Sequence, residues 1–305
     1  MKTTKGLEQE IARLYKLGQR PAPYCSTSVT ETMMILYLTN KYKFKDPTQK
    51  DIRNDYRAYG MVSRRLKQQT PVPQLHTWQL CLYYDEKERL IRTNRDDYYS
   101  AFYWKLTDMM RLNPGKKIAC SFDIEFYTNE VATLGHTETI LYDPALNILE
   151  HVDSNNLPKH CARRDPEYFQ CCEVTNAILE DVAKALPQCP LYINNTNIYH
   201  GYEWGIQSIE AASNKHTESE KDGYCLMWSN LFADLALSFP EYSVRQMIDV
   251  MLKKAKSAQT KVDCMNDYLL YVIRGYVTDI SNTLGVNFED EASKHEACVQ
   301  LVRAF

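Results

Sequence analysis

Four residues in the later part of the chain have the side chains that acyl-transfer chemistry needs: His136, Asp153, Gln207 and Cys225, in that order. A thiolate attacks a carbonyl carbon, and an imidazole takes and returns the proton. A carboxylate orients the imidazole, and an amide N–H steadies the oxygen on which negative charge develops. His136 and Asp153 are 17 residues apart and flank the turn sequence Asp143-Pro144-Ala145-Leu146. A turn centred between Pro144 and Ala145 predicts a hairpin with His136 directly opposite Asp153. Opposed residues share a face with Cβ atoms about 4.5–5.5 Å apart, close enough for a ring N–H to reach a carboxylate. The same register makes a rival pair of Glu138 and His151. An odd-numbered loop centred on Ala145 would instead put Ser154 opposite His136.

Cys225 follows Lys221-Asp222-Gly223-Tyr224 and opens the apolar run Leu226-Met227-Trp228. This reads as a polar loop, a glycine turn and a helix with the cysteine in its first turn. Backbone dipoles gather partial positive charge at a helix N-terminus, which favours the thiolate of a cysteine placed there. The chain has ten cysteines, and only Cys225 combines a glycine turn, a helix start and an upstream His/Asp hairpin. The others read as free, partly buried thiols of a reducing compartment. Gln207, in Trp204-Gly205-Ile206-Gln207-Ser208, is the candidate neutral donor to an oxyanion.

The elements that must position these residues change character along the chain. Residues 1–110 read mostly as helix, with helical spacing at Leu7, Ile11 and Leu14, at Val29, Met33 and Leu36, and from Ile52 to Leu66 after the Asp46-Pro47 cap. Within that region Leu80, Leu82 and Tyr84 alternate before Asp85-Glu86-Lys87, which predicts a hairpin over 79–91. A helix is expected over 96–112. Strands follow over 117–122, 131–142 and 148–153, then an amphipathic helix over 173–186 and a short strand at 191–193. Residues 211–222 are polar and read as a surface loop. The stretch 225–239 is apolar nearly all round, which marks a buried helix. Helices are expected again over 243–256 and 264–284. The resulting organisation is a helical N-terminal region over 1–110, with a recognition or regulatory role, followed by an α+β catalytic domain over 111–305.

Composition narrows the function classes. The chain has 305 residues, 44% hydrophobic and 25% charged, with a net charge of −3. The absence of a basic excess argues against a nucleic-acid partner. No run approaches the roughly 18 apolar residues of a membrane span. The N-terminus lacks a signal peptide's apolar stretch, so a cytoplasmic or nuclear protein is expected, not one secreted through a signal peptide. Twenty-two tyrosines against ten glycines suggest dense packing with polar tips. His160-Cys161 and Cys171-Cys172 are too far apart, and a vicinal cysteine pair too poor a chelator, for a structural zinc site. No metal and no cofactor are expected. Asn194-Asn195-Thr196 matches a glycosylation acceptor, which is idle without a secretory route.

The order His, Asp, Gln, Cys resembles the ubiquitin-like-protein proteases, the clan of adenovirus endopeptidase and the SUMO proteases. It reverses the papain order. Asp222-Gly223-Tyr224-Cys225 resembles the lead-in to that family's nucleophile. The helix CLMWSNLFADLALSFP, from Cys225 to Pro240, is similar to the divergent members carried by large DNA viruses. The resemblance spans about residues 115–275 and does not reach residues 1–110. It departs from the family at two places. Gln207 precedes Cys225 by 18 residues, a longer interval than the family's, with the polar loop as the extra length. Thr137 stands where the family has tryptophan. The resemblance implies a papain-like fold and a cysteine peptidase acting on peptide or isopeptide bonds. Cys225 would be the nucleophile, His136 the base, Asp153 its orienting acid and Gln207 an oxyanion donor. The substrate would be a protein: ubiquitin, a ubiquitin-like modifier or a viral polyprotein. The same residues could also serve an acyltransferase, or persist in an inactive binding module.

Overall fold

The computed structural model describes residues 6–9, 80–128, 131–156, 166–202, 205–207 and 224–254. The helices expected over 29–38, 46–66 and 264–284, the loop 211–222, Gly223, His160 and Cys161 lie outside the described residues. The chain divides into two compact units, one of residues 1–21 with 78–267 and one of 22–77 with 268–305. All described residues belong to the first.

That unit is built on a six-stranded sheet in the order β2-β1-β3-β4-β5-β6. The strands are β1 (Leu80–Tyr84), β2 (Leu90–Thr93), β3 (Ile118–Thr128), β4 (Val131–Asp143), β5 (Ile148–Val152) and β6 (Leu191–Ile193). β1 pairs parallel with β3 and β5 with β6, and the remaining neighbours are antiparallel. The helices are α1 (Arg95–Leu112), α2 (Pro166–Ala185), the single turn α3 (Asn195–Ile198), α4 (Tyr224–Ser238) and α5 (Val244–Lys254). Helices and a mixed sheet give the expected α+β organisation.

Alternation along β3 decides the core. Ile118, Cys120, Phe122, Ile124 and Phe126 are buried on one face while the residues between them are half-exposed. Asp123 and Glu125 therefore extend the strand, because a charged residue costs little on the outward face. Tyr98 and Phe102 of α1 meet Phe122 edge to face, with ring centroids 4.8 and 5.4 Å apart. Cys171, Ile178, Leu179 and Val182 of α2 complete this layer. Each such side chain, fully buried, contributes roughly 1.5–3 kcal/mol.

The strands β1 and β2 and helix α1 are part of this core, so residues 80–112 do not separate from the segment after 110. β1 is hydrogen-bonded to β3 along its whole length. α2 is tied to the β1–β2 hairpin, since Leu90 N–H donates to Gln170 Oε1 (2.9 Å) and Tyr84 Oη donates to the Glu167 carbonyl (3.2 Å). The hairpin over 79–91 forms as expected. α2 starts at Pro166, seven residues before the expected start at Glu173, with proline in the first turn where its missing N–H is harmless.

α4 packs on the other face of β4. Thr139 Oγ1 donates to the Ser229 carbonyl (3.0 Å), and Ser229 Oγ donates to the Thr137 carbonyl (2.9 Å). Trp228, Leu231, Phe232, Leu235 and Ala236 are all buried, the outcome expected for a helix apolar all round. At the far end of the β4–β5 hairpin the buried Lys117 pairs with Asp143 at 3.2 Å and donates to the Tyr242 carbonyl. Among the described residues no helix is long and apolar enough to cross a membrane.

Candidate active site

The β4–β5 hairpin differs in register from the sequence expectation, and the difference leaves the site intact. Asp143 pairs with Ile148 and Thr139 with Val152, so four residues, Pro144 to Asn147, make the turn. Asp143 Oδ1 accepts from the N–H groups of Ala145 and Leu146 (2.9 and 3.2 Å), and Asn147 closes the turn at φ 52°. Asparagine tolerates that left-handed conformation better than most residues. The pairing is displaced by two residues, so His136 and Asp153 are diagonal neighbours and not directly opposed. An even displacement keeps every side chain on its expected face. Ser154 is not opposite His136.

His136 Nε2 and Asp153 Oδ1 are 2.9 Å apart. Asp153 is almost wholly buried, at 1% exposure, yet its carboxylate is fully engaged. Oδ1 also accepts from Asn155 N–H (2.8 Å), and Oδ2 accepts from Tyr168 Oη (2.6 Å) and Asn156 N–H (3.4 Å). Its own backbone N–H donates to Asn195 Oδ1 (2.9 Å). Burial would push this carboxyl up, but the His136 charge and hydrogen bond, with Tyr168 and Asn155, outweigh it and hold it below the usual range. An ionised carboxylate only accepts, so His136 Nε2 carries a hydrogen.

Cys225, at the start of α4, is close enough to the His136 ring for its sulfur to raise the ring's pKa. With Nε2 committed to Asp153, Nδ1 is the nitrogen left to face the sulfur. The β4–β5 ladder ends at Thr139–Val152, and His136 lies beyond that end, where the first turn of α4 meets it. Burial by itself would push the ring down. The Asp153 charge and hydrogen bond, then the hydrogen bond and charge of Cys225, reverse this and hold its imidazolium well above the usual histidine range. The arrangement therefore favours a charged ring between a carboxylate and a sulfur.

Gln207 sits beside this group. Its N–H donates to the Ser154 carbonyl (2.9 Å), and its Oε1 accepts from Ser154 Oγ (2.7 Å). The amide oxygen is thereby held, which leaves the NH₂ end as the donor. Gly205 makes the approach possible: a Cβ there would lie 2.4 Å from the backbone oxygens of Ser154 and Asn155.

The rival pair forms as well. His151 Nε2 and Glu138 Oε2 are 2.8 Å apart, on the same face as His136 and Asp153. His136, Glu138 and Asp153 bring three donor atoms within 4.8 Å of one another. His136 Nε2 and both Asp153 oxygens are hydrogen-bonded within the protein, so an ion bound there would have to displace those bonds.

Tyr168 and Asn195 were missed from sequence. Tyr168 falls in the unexpected first turns of α2, and among twenty-two tyrosines nothing marks it. Asn195 belongs to the glycosylation-like triplet but serves as a strut, bonding Asp153 N–H and Asn156 Oδ1. Asn194 caps α3 through Asn197 N–H. Cys171 is buried in the core and Cys189 is exposed.

No family model matches this chain, and no curated protein matches it either.

Proposed function

We propose that this chain is a cysteine peptidase of papain-like fold that hydrolyses a peptide or isopeptide bond in a protein substrate, with its site residues in the order His136, Asp153, Gln207, Cys225. One observation carries the reading. His136 is hydrogen-bonded by Asp153 on one nitrogen and engaged by Cys225, while Asp153 is saturated by Tyr168, Asn155 and Asn156. A carboxylate so held cannot rotate away, and it keeps the ring in one tautomer.

In this reading the Cys225 sulfur attacks the substrate carbonyl, and its proton resides on His136. The tetrahedral oxyanion is met by the Gln207 NH₂ and the backbone N–H of Cys225. His136 gives its proton to the leaving amine as the carbon–nitrogen bond breaks, which leaves a thioester. Water, deprotonated by the now neutral ring, attacks that thioester. The sulfur leaves and the acid product departs.

The substrate class rests on the resemblance in residue order: ubiquitin, a ubiquitin-like modifier or a viral polyprotein, met in cytoplasm or nucleus. Ubiquitin and SUMO probes with an electrophilic C-terminus test it. Covalent capture at Cys225, abolished in Cys225→Ala, is the expected result. Coenzyme-A-dependent acetylation of a protein by the same site would make the chain an acyltransferase. Tight binding without capture would make it an inactive binding module.

A further inference from the structure

The Glu138–His151 pair is buried beside His136 and has no part in the steps above. Glu138 has 0% exposure and His151 has 1%. Glu138 Oε2 is bonded to His151, while Oε1 lies 3.9 Å from His136 Nε2 and finds no hydrogen-bond partner among the described residues. The carboxylate thus stands between two imidazoles. On its far side, His151 Nδ1 is 3.1 Å from Tyr192 Oη, and Tyr192 Oη donates to Asn176 Oδ1 at 2.7 Å. A hydroxyl has one hydrogen. Having given it to Asn176, Tyr192 can only accept from His151, so Nδ1 must carry a hydrogen.

That bookkeeping leaves one proton between His151 Nε2 and Glu138. If it is on nitrogen, the pair is an imidazolium and a carboxylate. If it is on oxygen, the pair is neutral. The hydrogen bond survives either way, but only the first form presents a negative oxygen to His136.

We propose that Glu138 and His151 are positioning residues for His136: a buried pair that shares one proton and presents its carboxylate to the His136 ring, keeping that ring charged. The inference rests on His136 acting as the base of the proposed reaction, although its test does not require turnover. Against burial, His136 is raised first by Asp153 and then by Cys225, and the Glu138 carboxylate adds to them from 3.9 Å. Burial opposes charge on His151, but Glu138, then Asp153 at longer range and the Asn176 hydrogen bond raise it. Tyr98 of α1 and Tyr192 of β6 are both pushed up, first by burial and then by charges that include Glu138. Those two phenols stay neutral. Asp123 of β3 and Glu180 of α2 add negative charge at the Tyr98 and Tyr192 hydroxyls. Around His136 itself stand Asp153, Glu138 and, from α4, Cys225. The two imidazoles are the cations of this group. Replacing the negative oxygen 3.9 Å from His136 Nε2 with a neutral amide therefore destabilises the His136 imidazolium, by less than loss of an unpaired charge because His151 partly offsets Glu138.

The experiment is a pH titration of the full chain by side-chain ¹⁵N NMR of its histidines. In the unaltered protein His151 Nδ1 is expected to stay protonated throughout. A neutral His151 with its hydrogen on Nε2 alone would overturn the proposal without any variant. In Glu138→Gln, which keeps the shape, the His136 midpoint is expected to fall measurably, and Glu138→Asp, which keeps the charge, should recover most of that fall. An unchanged His136 midpoint in a folded Glu138→Gln protein would also overturn it. If the probes capture nothing while the His136 midpoint falls as stated, the peptidase reading fails and the electrostatic linkage stands.

Discussion

Asp153 concentrates the energetics of the site. Four donors meet one buried carboxylate, and hydrogen bonds to charged groups are each worth roughly 1.5–3 kcal/mol. Its pKa is lowered by folding, so its contribution to stability is present above its unfolded pKa and is lost as pH falls through the folded one. His136 is raised by folding, so its contribution is full below its unfolded pKa and is lost as pH rises through the folded one. The pair is therefore most stabilising between about pH 4 and 6.5, the ordinary carboxylate and imidazole values. Denaturant unfolding across pH should show stability falling on both sides of that window. Asp153→Asn should flatten both flanks, and curves of wild type and variant that run parallel would refute the assignment. The residue types of this pair were legible from sequence, because a turn between alternating strands forces neighbours onto one face. Its saturation was not, because Tyr168 lies in the first turns of α2, ahead of the start that periodicity gave that helix.

The elements deliver these side chains through close backbone contacts. The segment Gly205–Gln207 runs against Ser154–Asn156 with no room for a Cβ at residue 205. Gly205→Ala should force that contact apart, costing about 1–3 kcal/mol, and should move Gln207 off its Ser154 anchor. In turnover assays it is expected to match Gln207→Ala, with kcat lowered about 10²–10³-fold and KM nearly unchanged, because the lost bond forms in the transition state. Near-normal kcat in Gln207→Ala would remove that amide from the mechanism. Most element types here could be read from periodicity, as β3, β4 and α4 show. Register could not. The four-residue turn depends on the Asp143 side chain capping two N–H groups and on a left-handed Asn147, and neither has a periodic signature. Parity rescued the His136–Asp153 pairing, and it allowed both base–acid pairs to form where the sequence had set them as rivals.

At the scale of the molecule, the sheet crosses the boundary near 110 that the change from helical to mixed periodicity suggested. Residues 80–112 supply two strands and the helix whose Tyr98 and Phe102 cover Phe122. A deletion of 1–110 removes nearly all of these and bares the apolar face of β3. Loss of soluble protein is expected, and a soluble, folded 111–305 fragment would contradict this account of the core. The boundary was misplaced because the helical character of α1 matched the helices expected before it, while β1 joins a sheet whose other strands lie beyond it in sequence. Activation of Cys225 by His136 and Asp153 can be read from iodoacetamide labelling of the intact protein near neutral pH, followed by mass spectrometry. Cys189 is exposed and Cys225 is 5% exposed, so accessibility alone favours Cys189. Cys225 is expected to be alkylated first, and more slowly in Asp153→Asn; labelling of Cys189 or any other cysteine well ahead of Cys225 would refute its activation.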